Sequence, residues 1–290
     1  MDGFLLQVFS GLANGSIYAA VGLALVMIYQ STHHINFAQG EMATFSTFIC
    51  WWLIDSGMSY WLAFFLTVGV AFIGGVVVQR VFIRPVERKP VLINVIVFVA
   101  LLVIFNAMSG WIFEHTLKAF DSPFPVRSAV LPEYISGHQL GSLGVTLAVL
   151  LVIYLFFRFT PIGLAMRGAA QNPDSASLVG IRVTWMLALG WGLASAIGAV
   201  AGMMMAPIMF LDPNMMAGIL LYGFAAALLG GIDNPWGAVA GGFIVGVLEN
   251  LLGAYVIGSD LKLTVALVLI VGTLTLKPNG LFGQKVVTRV

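Results

Sequence analysis

The chain has 290 residues, of which 60% are hydrophobic and 9% charged, with a mean hydropathy of +1.02. Soluble domains carry roughly a quarter charged residues, so this composition excludes a soluble enzyme or binding module. A net charge of +1 without a basic stripe excludes a nucleic-acid partner, and the single Cys50 excludes an intrachain disulfide or a cysteine-based metal site.

Ten of the 13 Lys and Arg fall in three stretches, Arg80 to Lys89, Arg158 to Arg182 and Lys277 to Arg289. Loops on the cytoplasmic side of membrane proteins collect Lys and Arg, so these stretches are expected to share that side. The apolar runs, in chain order, are 4–29, 36–54, 60–82, 91–113, 142–158, 183–210, 218–231, 236–257 and 261–276. A helix of about 20 residues crosses a bilayer, and backbone polar groups in lipid must be satisfied within the segment, so the runs are predicted helices. The fold class is therefore an all-α, polytopic membrane helical bundle of about 8–9 hydrophobic segments, some short or re-entrant, forming a single transmembrane domain over 1–290. Met1-Asp2-Gly3 lacks a basic n-region, and no small-residue cleavage site follows, so the first run is read as a retained span. Loop 114–141, with Glu114, Asp121 and Glu133, and the stretch at Asp212-Pro213-Asn214 are placed on the outer side.

Two segments depart from ordinary spans. One is 218–231, ending at Gly230-Gly231; the other starts at Asn36 and contains Gln39-Gly40-Glu41. Short or broken segments of this kind mark a pathway near the membrane midplane. Glycines four apart (Gly11 and Gly15, Gly198 and Gly202, Gly237 and Gly241, Gly242 and Gly246) predict close helix packing.

Polar residues inside apolar runs are costly and face the bundle interior or a pathway. Glu249 shares a helix face with Gly242, Gly246 and Gly253, so it either hydrogen-bonds across a close interface or lines a pathway; Asn250 follows it. Asn36 is expected to cap the second helix, with Glu41 near its start. Asn14 with Tyr18, and Asn94 with Phe98, each make a polar-aromatic face suited to a zwitterion with an apolar side chain or to helix-helix hydrogen bonding. The adjacent His33 and His34 lack ligand partners, so no metal site is expected, and no cofactor. Met203, Met204, Met205, Met209, Met215 and Met216 are expected on a lipid-exposed or flexible surface.

Between Arg158 and Arg182, Thr160 before Pro161 and Asn172 before Pro173 are pairs of helix cap and first helical residue, each starting a short helix, with Asp174 in a first turn. Two short helices joined by a tight break suit a docking surface for a cytoplasmic partner.

This loop, through Gly163, Arg167, Ala169, Asp174, Ala176, Leu178 and Gly180, resembles the coupling loop of branched-chain amino acid ABC importer permeases. Ile35-Asn36-Phe37-Ala38-Gln39-Gly40-Glu41-Met42 is similar to that family's N-terminal signature, though a histidine often stands where this chain has Gln39. Arg84-Pro85-Val86, Leu228-Leu229-Gly230-Gly231-Ile232 and Lys277-Pro278-Asn279-Gly280-Leu281-Phe282-Gly283 are further matches, in order along the whole chain. In the loop, Arg167-Gly168 precede two alanines where the general importer motif opens with a glutamate. The resemblance implies a translocation subunit in a bacterial inner membrane, multi-pass, with a cytoplasmic C-terminus. Its implied partners are a second homologous permease, two cytoplasmic ATP-binding subunits and an extracytoplasmic solute-binding protein. The chain has no G-x-x-x-x-G-K-[ST], so it is not expected to be an enzyme; ATP hydrolysis would belong to another chain. Related permeases serve urea, short amides or organic acids, and an ion-coupled carrier using Glu249 and Glu41 is the alternative of a different class.

Overall fold

The computed structural model describes residues 2–87, 89–128 and 133–283, and among these it is helical with two isolated β-bridges and no named strand. The helices are α1 (Asp2–Thr32), α2 (Gln39–Asp55), α3 (Tyr60–Val78), α4 (Val91–Phe113), α5 (Gly137–Phe159), α6 (Pro161–Gln171), α7 (Pro173–Leu178), α8 (Val183–Met209), α9 (Met215–Gly230), α10 (Pro235–Leu252) and α11 (Lys262–Leu276). π-helical turns extend α3 through Gln79–Ile83 and α10 through Gly253–Ile257. Six of the described helices are long and apolar enough to cross a membrane, while α9 and α11 are shorter and apolar. The part of the basic tail beyond Gly283, Arg88 of the first basic stretch and Pro132 of the long loop lie outside the described residues.

The helix predicted over 142–158 begins earlier, at Gly137. Ser136 and Gln139 explain the difference. The Ser136 N–H donates to Gln139 Oε1 at 3.0 Å, and the Gln139 N–H donates to Ser136 Oγ at 3.1 Å. This reciprocal capping box starts the helix within residues that composition alone reads as loop.

The chain divides into two compact units, one of residues 1–26, 122–145 and 218–290, the other of residues 27–121 and 146–217. In the first, the predicted small-residue faces pack α1 against α10. A Cβ on Gly11 would lie 2.8 Å from Val247 Cα, and one on Gly15 would lie 3.0 Å from Gly242 O, closer than atoms pack without displacement. Only hydrogen at these positions lets the backbones approach so far. At the other end of α10, the segments 228–232 and 277–283 form one structure. The Leu281 N–H donates to Leu229 O at 2.7 Å, the Phe282 N–H to Gly230 O at 3.1 Å, and Asn234 Nδ2 to Phe282 O at 3.1 Å. Gly280, at φ 73°, sits where a Cβ would meet Gly231 N at 2.5 Å, so the turn requires glycine both for conformation and for space.

In the second unit α8 is the central helix, packed against α2 and α3. Gly192 brings it onto α3, where a Cβ would meet Phe72 O at 2.9 Å, and Gly202 brings it onto α2, 3.1 Å from Ala43 O. α2 begins beside the middle of α8, because Gln39 Nε2 donates to Ala194 O at 3.0 Å. It also climbs beside α4: the His34 and Phe98 rings are 6.4 Å apart, Glu41 meets Asn106, and the Phe48 and Phe113 rings stack at 5.0 Å. The irregular chain between α1 and α2 buries Asn36 and Ala38 in protein while His33 and Phe37 stay exposed, and non-helical backbone survives at membrane depth where protein covers it. Asn36 does not cap α2 as expected. The helix starts at Gln39 with Ala38 at its N-cap and no side-chain cap, and Asn36 Oδ1 instead accepts from the Ala38 N–H at 3.0 Å, turning the chain just before the helix.

Two contacts within this unit join its loops and helix ends. Arg80 Cζ stands 3.4 Å above the Trp185 ring, which puts the loop after α3 beside the start of α8. Lys118 and Leu211 exchange backbone hydrogen bonds at 2.9 and 3.0 Å, joining the loop after α4 to the one after α8. The methionines correct an expectation: Met203, Met204, Met205, Met215 and Met216 are buried, and of the six only Met209 is exposed. Their flexible thioethers fill the interior around α8 instead of facing lipid.

Gly246→Val is expected to lower the thermal unfolding midpoint of the detergent-purified protein, overpacking of this kind costing about 1–3 kcal/mol. Gly272→Val, where a Cβ meets nothing within 4 Å, should leave the midpoint unchanged when both are followed by size-exclusion after heating.

Candidate functional site

The polar candidates of the spans form two groups, one in each unit. In the first unit, Glu249 of α10 is 4% exposed and faces α1 across the glycine contact, as its helix face predicts. The Tyr18 hydroxyl donates to Glu249 Oε2 at 2.9 Å, and the Tyr222 ring of α9 stacks on Tyr18 at 4.6 Å. Lys262, at the start of α11, places Nζ 3.8 Å from Glu249 Oε1 and 3.1 Å from Asn250 Oδ1. Asn250 Nδ2 in turn donates to Gly246 O at 3.1 Å. The carboxylate is therefore neutralised and hydrogen-bonded, the condition under which a buried charge is tolerated. Asn14, one turn before Tyr18, is half-buried.

In the second unit, Asn36 and Gln39 are buried at the break between α1 and α2. Glu41 is 4% exposed, and Asn106 of α4 holds it: Asn106 Nδ2 is 3.2 Å from Glu41 Oε2, 3.2 Å from Pro213 O and 2.9 Å from Asn214 Oδ1. Phe98 lies against His34 on one side and stacks on Trp191 of α8, ring centroids 6.0 Å apart, on the other. Asn94, on the same face as Phe98, spends its amide on Lys89 O at 3.3 Å, which ties down the start of α4.

The loop after α5 folds as its caps predict. Thr160 Oγ1 accepts from the Gly163 N–H at 3.0 Å to start α6, and Asn172 Oδ1 accepts from the Ser175 N–H at 2.9 Å to start α7. The seven residues singled out here divide by exposure. Gly163, Ala169 and Ala176 are buried; a Cβ on Gly163 would lie 2.7 Å from Phe157 Cα, so this residue seats α6 against the end of α5. Arg167, Asp174, Leu178 and Gly180 are exposed, with Gly180 at φ 86° ending the α7 turn. An open groove of about 460 Å³ runs over α6 between Leu164, Arg167, Gln171 and Ile181.

Tyr222, Lys262, Asn106 and Asn214 are members of these clusters that the motif reading passed over. The signal was present: each is polar and lies in or beside an otherwise apolar run.

Six helices of membrane length, and a capped pair of short helices between α5 and α8, give the chain the build of a polytopic membrane protein. The chain belongs to the family described as "Branched-chain amino acid transport system / permease component", which it matches over residues 7–274. It is 30% identical to the high-affinity branched-chain amino acid transport system permease protein LivH of Escherichia coli (strain K12), covering 99% of this chain and 98% of that one. Identity is also 30% with the permease protein BraD of Pseudomonas aeruginosa over the same shares, and 23% with the probable LivH of Methanocaldococcus jannaschii over 92% and 89%. Among solved structures, PsaBC from Streptococcus pneumoniae in complex with Fab has the same fold, with a TM-score of 0.50, 13% identity and coverage of 94% of this chain and 91% of that one.

Lys262→Met removes the cation beside the Glu249 carboxylate and leaves it the Tyr18 hydroxyl, and breaking a buried ion pair in this way costs up to about 3–5 kcal/mol. Lys262→Met/Glu249→Gln should restore most of the lost thermal stability. The comparison of single and double variants checks that the two side chains act as a pair.

Proposed function

We propose that this permease is the translocation subunit of an ATP-driven importer for branched-chain or other hydrophobic amino acids, its 290 residues acting as one transmembrane domain. The family match across nearly the whole chain carries the reading. The proposed assembly pairs this chain with a second permease and two ATP-binding subunits on the cytoplasmic side, and receives its solute from an extracytoplasmic binding protein. The three basic stretches support a cytoplasmic α6–α7 segment and C-terminus, with the loops after α4 and α8 outside.

The surface of the α6–α7 segment supports a docking role. Leu178 is 88% and Val179 77% exposed at the end of α7, in a segment that also exposes Arg167 and Asp174. Apolar side chains presented to water beside charged ones are the composition of a contact surface. The buried Gly163, Ala169 and Ala176 hold that surface rigidly against the spans, so closure of the ATPases would move the bundle with it. Alternating exposure of the solute to either side follows from that movement.

Two tests apply. Purification of the tagged chain from its native membrane should bring down two ATP-binding subunits and a second permease; a lone chain that moves leucine down an ion gradient in liposomes would refute the proposal. Leu178→Asp with Arg167→Glu should reduce ATP-driven leucine uptake at least tenfold while ATP hydrolysis and expression persist. The exposed Leu178 is a cleaner probe than Gly180, whose positive φ makes any side chain a strain on the turn itself.

A further inference from the structure

The amide of Asn106 is surrounded by more acceptors than it has hydrogens. A carboxamide nitrogen carries two protons, yet three oxygens lie within 3.2 Å of Asn106 Nδ2: a carboxylate oxygen of Glu41, the carbonyl of Pro213 and the amide oxygen of Asn214. The amide can serve only two of the three at a time. Glu41 is 4% exposed, and among the described residues no Lys or Arg stands within 4 Å of it. Its counterpart Glu249 has Lys262; Glu41 has only a neutral amide. A buried carboxylate facing an excess of oxygen acceptors is an environment short of one positive charge and one proton donor.

An amide nitrogen now holds the three oxygens, and an ammonium nitrogen can take its place without moving them. Oxygens 2.9–3.2 Å from a common centre match N–H···O hydrogen bonds. Calcium draws its oxygen ligands to about 2.3–2.6 Å, and magnesium closer still. A primary ammonium has one nitrogen and three protons, which is the number of acceptors present. Glu41 is the buried end of the cluster and Asn214 its exposed end, beside the loop after α8. An apolar wall stands alongside: Phe45, one turn on from Glu41, meets the Phe105 ring edge-on at 5.6 Å.

We propose that Glu41 Oε2, the Pro213 carbonyl and Asn214 Oδ1 form a seat for the ammonium group of the transported solute, which Asn106 Nδ2 occupies until the solute displaces it. For the nature of that solute the assignment rests on the permease reading above. The ammonium takes the place of the amide nitrogen and pairs with the Glu41 carboxylate, while the apolar side chain lies against Phe45 and Phe105. An amine is then selected over a neutral or anionic molecule of the same shape, because only the amine satisfies the leftover acceptor and the charge together.

The experiment measures the thermal unfolding midpoint of the full chain, purified with its accompanying subunits in nanodiscs, against 3-methylbutylamine hydrochloride. 4-Methylpentanoate serves as the deaminated control, and sodium and choline chlorides at equal ionic strength as salt controls. The amine should raise the midpoint of the unmodified protein in the millimolar range. Glu41→Gln should weaken that effect at least tenfold, and Asn214→Ala, an exposed change that does not threaten folding, about fivefold. Equal amine binding in both variants, no amine binding in the unmodified protein, or equal protection by sodium would each overturn the assignment. ATP-driven leucine uptake by the same preparations separates the two levels. Normal uptake in Glu41→Gln and Asn214→Ala sinks the ammonium seat and leaves the permease reading standing. Absent uptake by the unmodified assembly, with amine binding intact, sinks the permease reading and leaves the seat.

Discussion

A polar group held away from water must find its partner inside the protein, and this requirement shapes nearly every part of the chain that is not plain apolar helix. Unpaired, a buried amide or hydroxyl costs on the order of a few kcal/mol, more for a charge. Tyr18, Glu249, Asn250 and Lys262 meet it by converging on one another. The irregular chain before α2 meets it by borrowing the Asn36 side chain for the Ala38 N–H. The part-buried starts of α6 and α10 meet it with Thr160 and Asn234.

Such partners have to be brought close, and glycine does this. Where α1 crosses α10 the backbones touch at Gly11, Gly15, Gly242 and Gly246, and only because they touch can the Tyr18 hydroxyl reach Glu249. The same relation holds in the other unit, where Gly198 makes room for the Gln39 amide that bonds to Ala194 O. Dispersion contacts between closely approaching helices and the hydrogen bonds they permit are therefore one stabilising device. Substituting either component loosens the other.

Much of the helix plan was readable from hydropathy because the bilayer imposes a length. The run at 91–113 coincides with α4, and the run at 60–82 with α3 and its π-helical turn to within a residue. The two short helices after α5 were readable from caps, since Thr160-Pro161 and Asn172-Pro173 act locally. What escaped is what depends on tertiary placement. Nothing in the residues near Glu249 announces Tyr18, 231 positions away, or Tyr222. Composition placed the methionines toward lipid, whereas the packing around α8 buries five of the six. Asn106 and Asn214 look unremarkable alone and acquire meaning only when the chain sets them against Glu41.

The shortness of α11 has a consequence for the surrounding lipid. Its 15 residues span about 22 Å at 1.5 Å per residue, against a hydrocarbon core of about 30 Å. Leu267, Val268, Val271 and Leu274 form an exposed apolar face along it. Lipid meeting that face must compress to match it, at a fraction of a kcal/mol per Å of mismatch. Where α11 faces lipid, the bilayer beside it is expected to thin, which ties the helix to acyl-chain length. Thinner bilayers relieve the compression, and thicker ones favour whatever movement sets α11 upright or covers it with protein.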